Sequence, residues 1–445
     1  MQNSKDGTVT PTDPGSPFDL APGSRVALLV PGSPEYVVTV IGLLEVGIVP
    51  VPLDPGLTTA ERESLLAYVR PSAVLEDPGE VRRLASMVEV TAATLPRARP
   101  MHLTSGTTGS PKGVWSGVLD DVAARALVDE ERELWRFRAD DVHLVMSPLH
   151  HSAPLRFAMG TLLAGGRLVV PGPFDVSAVT AAIAEHRPTT TFCVPTHLQR
   201  LFAAWDREGT PDLTCFRLVA HAGAACPEPV KRQLIEAFPQ GSTWEFYGAT
   251  EGQLTACSSE EWLGHPGTVG RARPGRALSV DPDGTVWCSV PAHARFTYFD
   301  APEKTATAWR VTEEGAEFTV GDHGRLDDDG YLYLDGRRED LIITGGVNVY
   351  PAEVETVLAG HPGVREVAVY GVPDPEWGSR VCAAVVGTPD DGQLETALRA
   401  LARERLAPPK RPKEYRFLPA LPHTPTGKIR RRDLAGAADT ELGEG

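Results

Sequence analysis

Between Arg25 and Tyr247 short apolar runs of strand length alternate with longer stretches of helical pattern, and this alternation constrains the fold more than any other feature. The run Arg25–Val30 precedes a helical pattern over Pro34–Gly47, which a glycine ends, and Val49–Leu53 precedes Thr58–Val69. The same unit recurs through Val142–Met146, Leu155–Leu163, Arg167–Val170, Ser177–Glu185 and Thr190–Val194, then again around Leu218–Ala220, Pro229–Phe238 and Thr243–Tyr247. Strands that share a sheet through helical crossovers run parallel, so the class expected is α/β. From about Gly267 the rhythm shortens, and DPDGTVWCSV and DDDGYLYLDG read as β-hairpins of a β-rich subdomain. A break in composition at Gly336–Asp340 (GRRED) opens a last, smaller α+β unit: a helix over Pro351–Ala359, strands over Val364–Tyr370 and Val381–Val386, and a helix over Leu394–Leu406. At 445 residues the chain is too long for one core, and the division expected is a leader over 1–24, an N-terminal domain over 25–338 and a C-terminal domain over 339–445.

Composition excludes several classes. No apolar run reaches the roughly 20 residues of a membrane helix, and the Pro-, Gly- and Asp-rich start lacks the apolar core of a signal peptide, so a cytoplasmic protein is expected, without integral membrane association. Six scattered cysteines with no C-x-x-C pair fit reduced thiols. A formal charge of −16 argues against general binding to nucleic acid, although the stretch from Arg403 to Asp433 is basic and suits an anionic small ligand.

The segment Leu103–Val114, LTSGTTGSPKGV, concentrates chemistry. Gly106, Gly109 and Gly113 let backbone N–H groups approach a ligand, Ser105, Thr107, Thr108 and Ser110 add hydroxyl donors, and Lys112 adds a mobile charge. This is a phosphate-sized loop but not a Walker A loop, which has glycine before its lysine and Ser or Thr after it, where this chain has Pro111 and Gly113. A flexible Gly/Ser/Thr linker is the other reading of that composition.

The segments downstream of the loop separate these two readings. Pro148–His151, HAGAACPE from His221, WEFYGATEG to Gly252, VGDHGR to Arg325, DGRREDLIITGGVNVYPAEVE to Glu355 and PTGKIRR to Arg431 come in a fixed order. With this series the chain, from about Arg25 to Leu434, resembles the adenylate-forming superfamily in its acyl-CoA synthetase branch. The resemblance implies an AMP-forming acid–thiol ligase, in which a carboxylate attacks the α-phosphorus of ATP and a thiol then displaces AMP from the acyl adenylate. Both steps need donors and cations aimed at phosphate oxygens.

Residue by residue, the resemblance makes Thr104, Ser105, Gly106, Thr107, Thr108, Gly109 and Lys112 the pyrophosphate loop. Gly223 and Ala224 become backbone beside the adenine, and Tyr247 and Gly248 the ring and turn against it. Thr250 becomes a catalytic donor to the α-phosphate and Glu251 the Mg²⁺ ligand, a role that suits a hard carboxylate oxygen. Asp322 receives the ribose hydroxyls with Arg337 near that end of the nucleotide. Lys428 is the catalytic lysine that bridges carboxylate and α-phosphate, and it rides on the mobile C-terminal domain. Gly345 and Gly346 line a tunnel for the pantetheine arm of CoA, the basic end meets the CoA phosphates, and His151 gates the acyl pocket. The rotation between steps turns near Glu339, where the family usually has Asp or Lys. Val74–Thr104 is short for this family, as is the start, which bears on the CoA entrance or on an oligomer contact.

The acyl pocket framed by His151–Met159, Phe192–Thr196 and Ala222–Ala225 is apolar or small, which favours an apolar or aromatic acid. Arg156 is its one charge, facing either a second substrate carboxylate or a neighbouring acid of the chain. ATP, Mg²⁺ and CoA are thus the expected small molecules. Transfer to a carrier-protein phosphopantetheine or to a non-thiol acceptor is the alternative. A non-catalytic nucleotide-binding relative is a third reading, against which stand Lys428 and Glu251.

Overall fold

The computed structural model describes residues 20–104, 112–313, 315–337, 340–344, 347–374, 377–387, 393–423, 429–431 and 433–435. The chain divides into two compact units, Met1–Phe192 with Pro291–Thr307 and Cys193–Val290 with Ala308–Gly445.

In the first unit the strand Arg25–Leu28 lies between Val49–Pro52 and Ala73–Leu75, all parallel, with Ala27 opposite Val51 on one side and Val74 on the other. The crossover helix Pro34–Glu45 starts at Ser33, whose hydroxyl accepts from the Tyr36 N–H, while Pro34 occupies a position where a missing N–H costs nothing. Tyr36, Val37, Val40, Ile41, Leu43 and Leu44 are all buried, which is wider than one apolar stripe and encloses the helix. A second parallel set places Val142–Val145 between Arg167–Val169 and Thr190–Cys193. The helix expected over Leu155–Leu163 begins earlier, at Ser152, because its first turn tolerates Pro154. Two further helices, Pro78–Ala85 and Asp121–Trp135, start on aspartate caps, Asp77 and Asp120, and the first buries Val81, Leu84 and Ala85 along one face. The hairpin of Leu103–Thr104 and Lys112–Trp115 gains a third strand, Thr297–Tyr298.

In the second unit Leu218–His221 pairs in parallel with Thr243–Glu245, and the sheet continues antiparallel through Thr255–Ser258 and Arg271–Ala272. Both hairpins read from the sequence form, Ala277–Val280 with Val286–Ser289 and Asp322–Leu326 with Leu332–Arg337. The C-terminal sheet pairs Val364–Asp374 with Gly378–Gly387 and adds the parallel strand Glu414–Phe417. Its strands alternate strictly. Val367, Val369, Val381, Ala383 and Val385 face the helices Pro351–Ala359 and Gln393–Arg405, whereas Ala368, Tyr370, Cys382, Ala384 and Val386 build a second layer with Leu421 and Leu434. The architecture is therefore α/β with a β-rich part and an α+β C-terminal part, as the alternation requires. Among the described residues no helix is long and apolar enough to cross a membrane. Cys193, Cys257, Cys288 and Cys382 are buried thiols.

Candidate functional site

The centre of the site in the second unit is the turn after Thr243–Glu245. Phe246 donates its N–H to the His221 carbonyl at 3.2 Å, which carries the parallel pairing one residue beyond the strand. The Tyr247 carbonyl then accepts from both Leu254 N–H (2.9 Å) and Thr255 N–H (3.1 Å), and the Tyr247 N–H donates to Thr255 Oγ1 at 2.9 Å. Ala249 and Gly252 exchange two backbone bonds, 2.9 and 3.2 Å, closing a tight turn with Thr250 and Glu251 at its tip. A methyl group on Gly248 would meet the Gly252 carbonyl oxygen at 2.6 Å, so only glycine fits that approach. Glu251 is buried, which places a carboxylate at the tip of a backbone cradle.

Asp322 is brought to this turn. It is buried, starts its strand directly after Gly321 at φ +81°, and sits opposite Arg337 in the hairpin. The Tyr247 hydroxyl donates to Asp322 Oδ2 at 2.5 Å, joining two motifs that are 75 residues apart. Beside it His323, also buried, receives the Tyr350 hydroxyl within 3.0 Å of Nδ1. The side chain of Arg337 lies outside the described part of the structure.

Gly223 comes after the strand Leu218–His221 with φ +94°, the left-handed region that favours glycine, and a methyl there would only touch Val194 at 3.4 Å. Conformation, not space, selects glycine here. Ala224 lies beside it, exposed.

Two motif residues, His221 and Glu245, share a buried partner that no motif in the sequence marks. Lys231 is fully buried, with Nζ 2.7 Å from His221 Nε2 and 3.3 Å from Glu245 Oε2. His221 and Glu245 are register partners, each the last residue of its strand. Burial, reinforced by the Lys231 charge, drives the His221 pKa well below the ordinary histidine value, so the imidazole is neutral and accepts from the ammonium. Burial pushes the Glu245 carboxyl up while Lys231 pulls against it. The one available signal is the helix pattern itself: Lys231 occupies the same stripe as Leu234 and Phe238, where an apolar residue belongs.

In the first unit Thr104 pairs with Lys112 across the hairpin, and Lys112 Nζ stands 5.3 Å from the centre of the Tyr298 ring. Ser105, Gly106, Thr107, Thr108 and Gly109, which join the two strands, lie outside the described residues. His151 is the residue before the helix Ser152–Leu163, its ring 4.2 Å from that of His150. His102 Nδ1 donates to the His150 carbonyl at 3.1 Å, and burial lowers the His102 pKa to about 4. Burial also lowers His150, against the pull of Asp54. Arg156 Nε stands 3.5 Å from Glu131 Oε2, so of the two partners open to it the structure supplies an acid of the chain.

In the C-terminal part Lys428, Gly345, Gly346 and the expected hinge Glu339 lie outside the described residues. Ile429 bridges His423, and Arg431 clamps Glu355 with two bonds (2.8 and 3.0 Å) while reaching the Val369 carbonyl at 3.1 Å. The basic end is partly neutralised within the chain: Lys410 pairs with Glu353, Arg405 with Glu404 and Arg430 with Asp433. In the sequence Arg431 stands out as the end of PTGKIRR and as part of the basic end, not as a partner of Glu355.

Residues 18–291 match the family model described as AMP-binding enzyme, and residues 353–428 match the one described as AMP-binding enzyme C-terminal domain. A feruloyl-CoA synthase from an Amycolatopsis species is 35% identical, over 92% of this chain and 88% of its own. The long-chain-fatty-acid–CoA ligase FadD13 of Mycobacterium tuberculosis is 33% identical over 92% of this chain and 87% of its own. A fatty acid–[acyl-carrier-protein] ligase, ScoC, of Streptomyces coeruleorubidus is 32% identical over 93% and 87%. Among solved structures, ATP-bound MatB from Rhodopseudomonas palustris superposes with a TM-score of 0.78 at 28% identity, covering 94% of this chain and 89% of that one.

Proposed function

This chain belongs to the AMP-binding enzyme family as an AMP-forming acid–thiol ligase, and from that premise we propose that it joins an apolar or aromatic carboxylic acid to CoA through an acyl adenylate. The observation that carries the reading is the bond from Tyr247 to Asp322, because it gathers the residues for adenine and for ribose at one turn whose tip holds Thr250 and Glu251.

In this reading the Tyr247 ring lies against the purine and the Gly223 backbone borders it. Asp322 takes the ribose hydroxyls, a task for which two carboxylate oxygens are apt. Thr250 donates to the α-phosphate. The Glu251 carboxylate and its backbone cradle fit a hard cation that keeps most of its waters and phosphate ligands. Glu251 would hold Mg²⁺, whose charge would offset that of the phosphates. Lys112 and the loop before it hold the pyrophosphate as it leaves.

Lys428 places its ammonium between the acid and the α-phosphate, which otherwise repel each other. The C-terminal part over 339–445 then turns about Glu339 and presents Gly345 and Gly346 to the pantetheine arm. His151 gates the acyl pocket and moves no proton, since a carboxylic acid is already ionised at neutral pH. The protein works in the cytoplasm on small molecules, without nucleic acid.

The apolar or aromatic class is supported by the similarity to a feruloyl-CoA synthase and a long-chain-fatty-acid–CoA ligase, and by the engagement of Arg156 with Glu131. A carrier-protein phosphopantetheine is the second acceptor to consider, because ScoC is a ligase of that kind. The test is incubation with ATP, Mg²⁺ and a panel of aromatic, medium-chain and dicarboxylic acids, with and without CoA, read by mass spectrometry. A CoA thioester from an aromatic or apolar acid supports the proposal, and adenylate that accumulates unchanged by CoA contradicts it.

A further inference from the structure

The loop Ala222–Pro227 leaves the strand Leu218–His221 and enters the helix Glu228–Ala237, and one buried bond ties its two ends together, Lys231 Nζ on His221 Nε2 at 2.7 Å. The same ammonium reaches Glu245 Oε2 at 3.3 Å on the neighbouring strand. Lys231 therefore clamps the helix to the ends of both strands. The next residues along the chain are Ala222 and Gly223 after one strand, and Phe246 and Tyr247 after the other.

A core does not need this arrangement. Apolar side chains of similar volume usually match or exceed the stability that a buried ion pair gives. Lys231 has no exposure, and the other residues of its stripe, Leu234 and Phe238, are apolar. What the ionic cluster supplies beyond apolar packing is direction, since each of its contacts holds at one distance and angle. Gly223 is also held at φ +94°, so the loop has a defined shape for the clamp to preserve.

We propose that Lys231, His221 and Glu245 are positioning residues that fix the spacing between the Gly223 backbone and the Tyr247 ring, and so set how tightly the purine of ATP is held. This rests on the assignment of the purine to Gly223 and Tyr247. None of the three is assigned a contact with the nucleotide, and since Ala222–Ala225 also frames the acyl pocket, CoA is the substrate they leave unaffected.

The test compares the full-length protein with K231M, the charge-free pair K231M/E245Q, and H221F, which removes the lysine–imidazole bond but keeps the ion pair. Each is measured for MgATP affinity by calorimetry without acid, for KM of ATP, acid and CoA, and for melting temperature without nucleotide. In K231M/E245Q we expect MgATP affinity to fall by about tenfold, with KM for CoA within about twofold and melting close to that of the parent. H221F shifts ATP affinity in the same direction by less. K231M alone strands a buried carboxylate, and should it fail to fold, the double variant and H221F still decide the matter. ATP affinity unchanged in K231M/E245Q, or all three substrates weakening in step with a falling melting temperature, overturns the proposal. Parent protein that binds MgATP yet forms no acyl adenylate refutes the ligase reading and leaves this inference standing, whereas parent protein that does not bind MgATP refutes both.

Discussion

The Tyr247 hydroxyl sits 2.5 Å from Asp322 Oδ2, and with this bond the turn after one strand and the start of a hairpin become one site. Asp322 is buried, so its carboxylate depends on such donors in place of water. In Y247F the ring remains but the bond is lost, and KM for ATP should rise by about three- to tenfold with little change in kcat. D322N removes an ionic acceptor, and kcat/KM for ATP should fall by about 10- to 100-fold, while KM for the acid holds. Steady-state kinetics with ATP as the varied substrate checks both.

Glu251 stands at the tip of the Ala249–Gly252 turn. E251Q keeps the shape and removes the charge, so half-saturation by Mg²⁺ should rise severalfold and kcat should drop by about 10². A titration of rate against Mg²⁺ shows whether high metal concentration recovers part of the loss. Full activity with an unchanged Mg²⁺ requirement contradicts the assignment.

Gly248 has no room for a side chain, since an added carbon lies 2.6 Å from the Gly252 oxygen and 2.7 Å from the Gln253 Cα. Both neighbours are backbone and cannot swing aside. G248A should cost about 1–3 kcal/mol of stability and weaken ATP together with it. Chemical denaturation and ATP kinetics on the same preparation check the pairing of the two effects.

Arg156 stands beside Glu131, each side chain about a quarter exposed. R156M should leave the ranking of acids unchanged and lower stability by no more than about 1 kcal/mol. A selective loss of dicarboxylic substrates in R156M contradicts this.

Buried histidines, His102 and His143 among them, predict an acid limb of stability. Burial lowers His102 to about 4 and His143 to about 3, from an ordinary value of 6.5. The unfolded chain takes up these protons first, so their contribution is complete above pH 6.5 and is lost as pH falls from there through 4 toward 3. Melting temperature should therefore decline over that window. H143Q, which keeps a polar group for Thr190, should flatten the decline. An equally steep decline in H143Q removes His143 as its cause.

Much of the fold is legible because local rules and tertiary structure agree here. The strand at Arg25–Leu28, the helix after Ser33 and the two Asp-Gly hairpins form where pattern and turn chemistry place them. Asp121–Trp135 is harder to read because the charged run Asp129–Glu133 interrupts its apolar stripe between Ala124, Leu127 and Val128 and the later Leu134 and Trp135. The partners of Arg156 and Lys231 are invisible for another reason. Arg156 finds Glu131 on another helix and Lys231, on a helix, finds Glu245 on a strand, pairings that chain folding alone creates. Motif order locates Tyr247, Glu251 and Asp322, but the bond between Tyr247 and Asp322 spans 75 residues and obeys no local rule.

The proposed chemistry has two steps, of which Lys428 serves only the first. The most direct measurement compares the parent with K428A in two assays, CoA thioester from free acid and ATP, and CoA thioester from acyl adenylate supplied ready-made. K428A should lose about 10²- to 10³-fold in the first assay and stay within a few-fold of the parent in the second. Equal losses in both assays, or no loss in the first, contradict the division of labour assigned to Lys428.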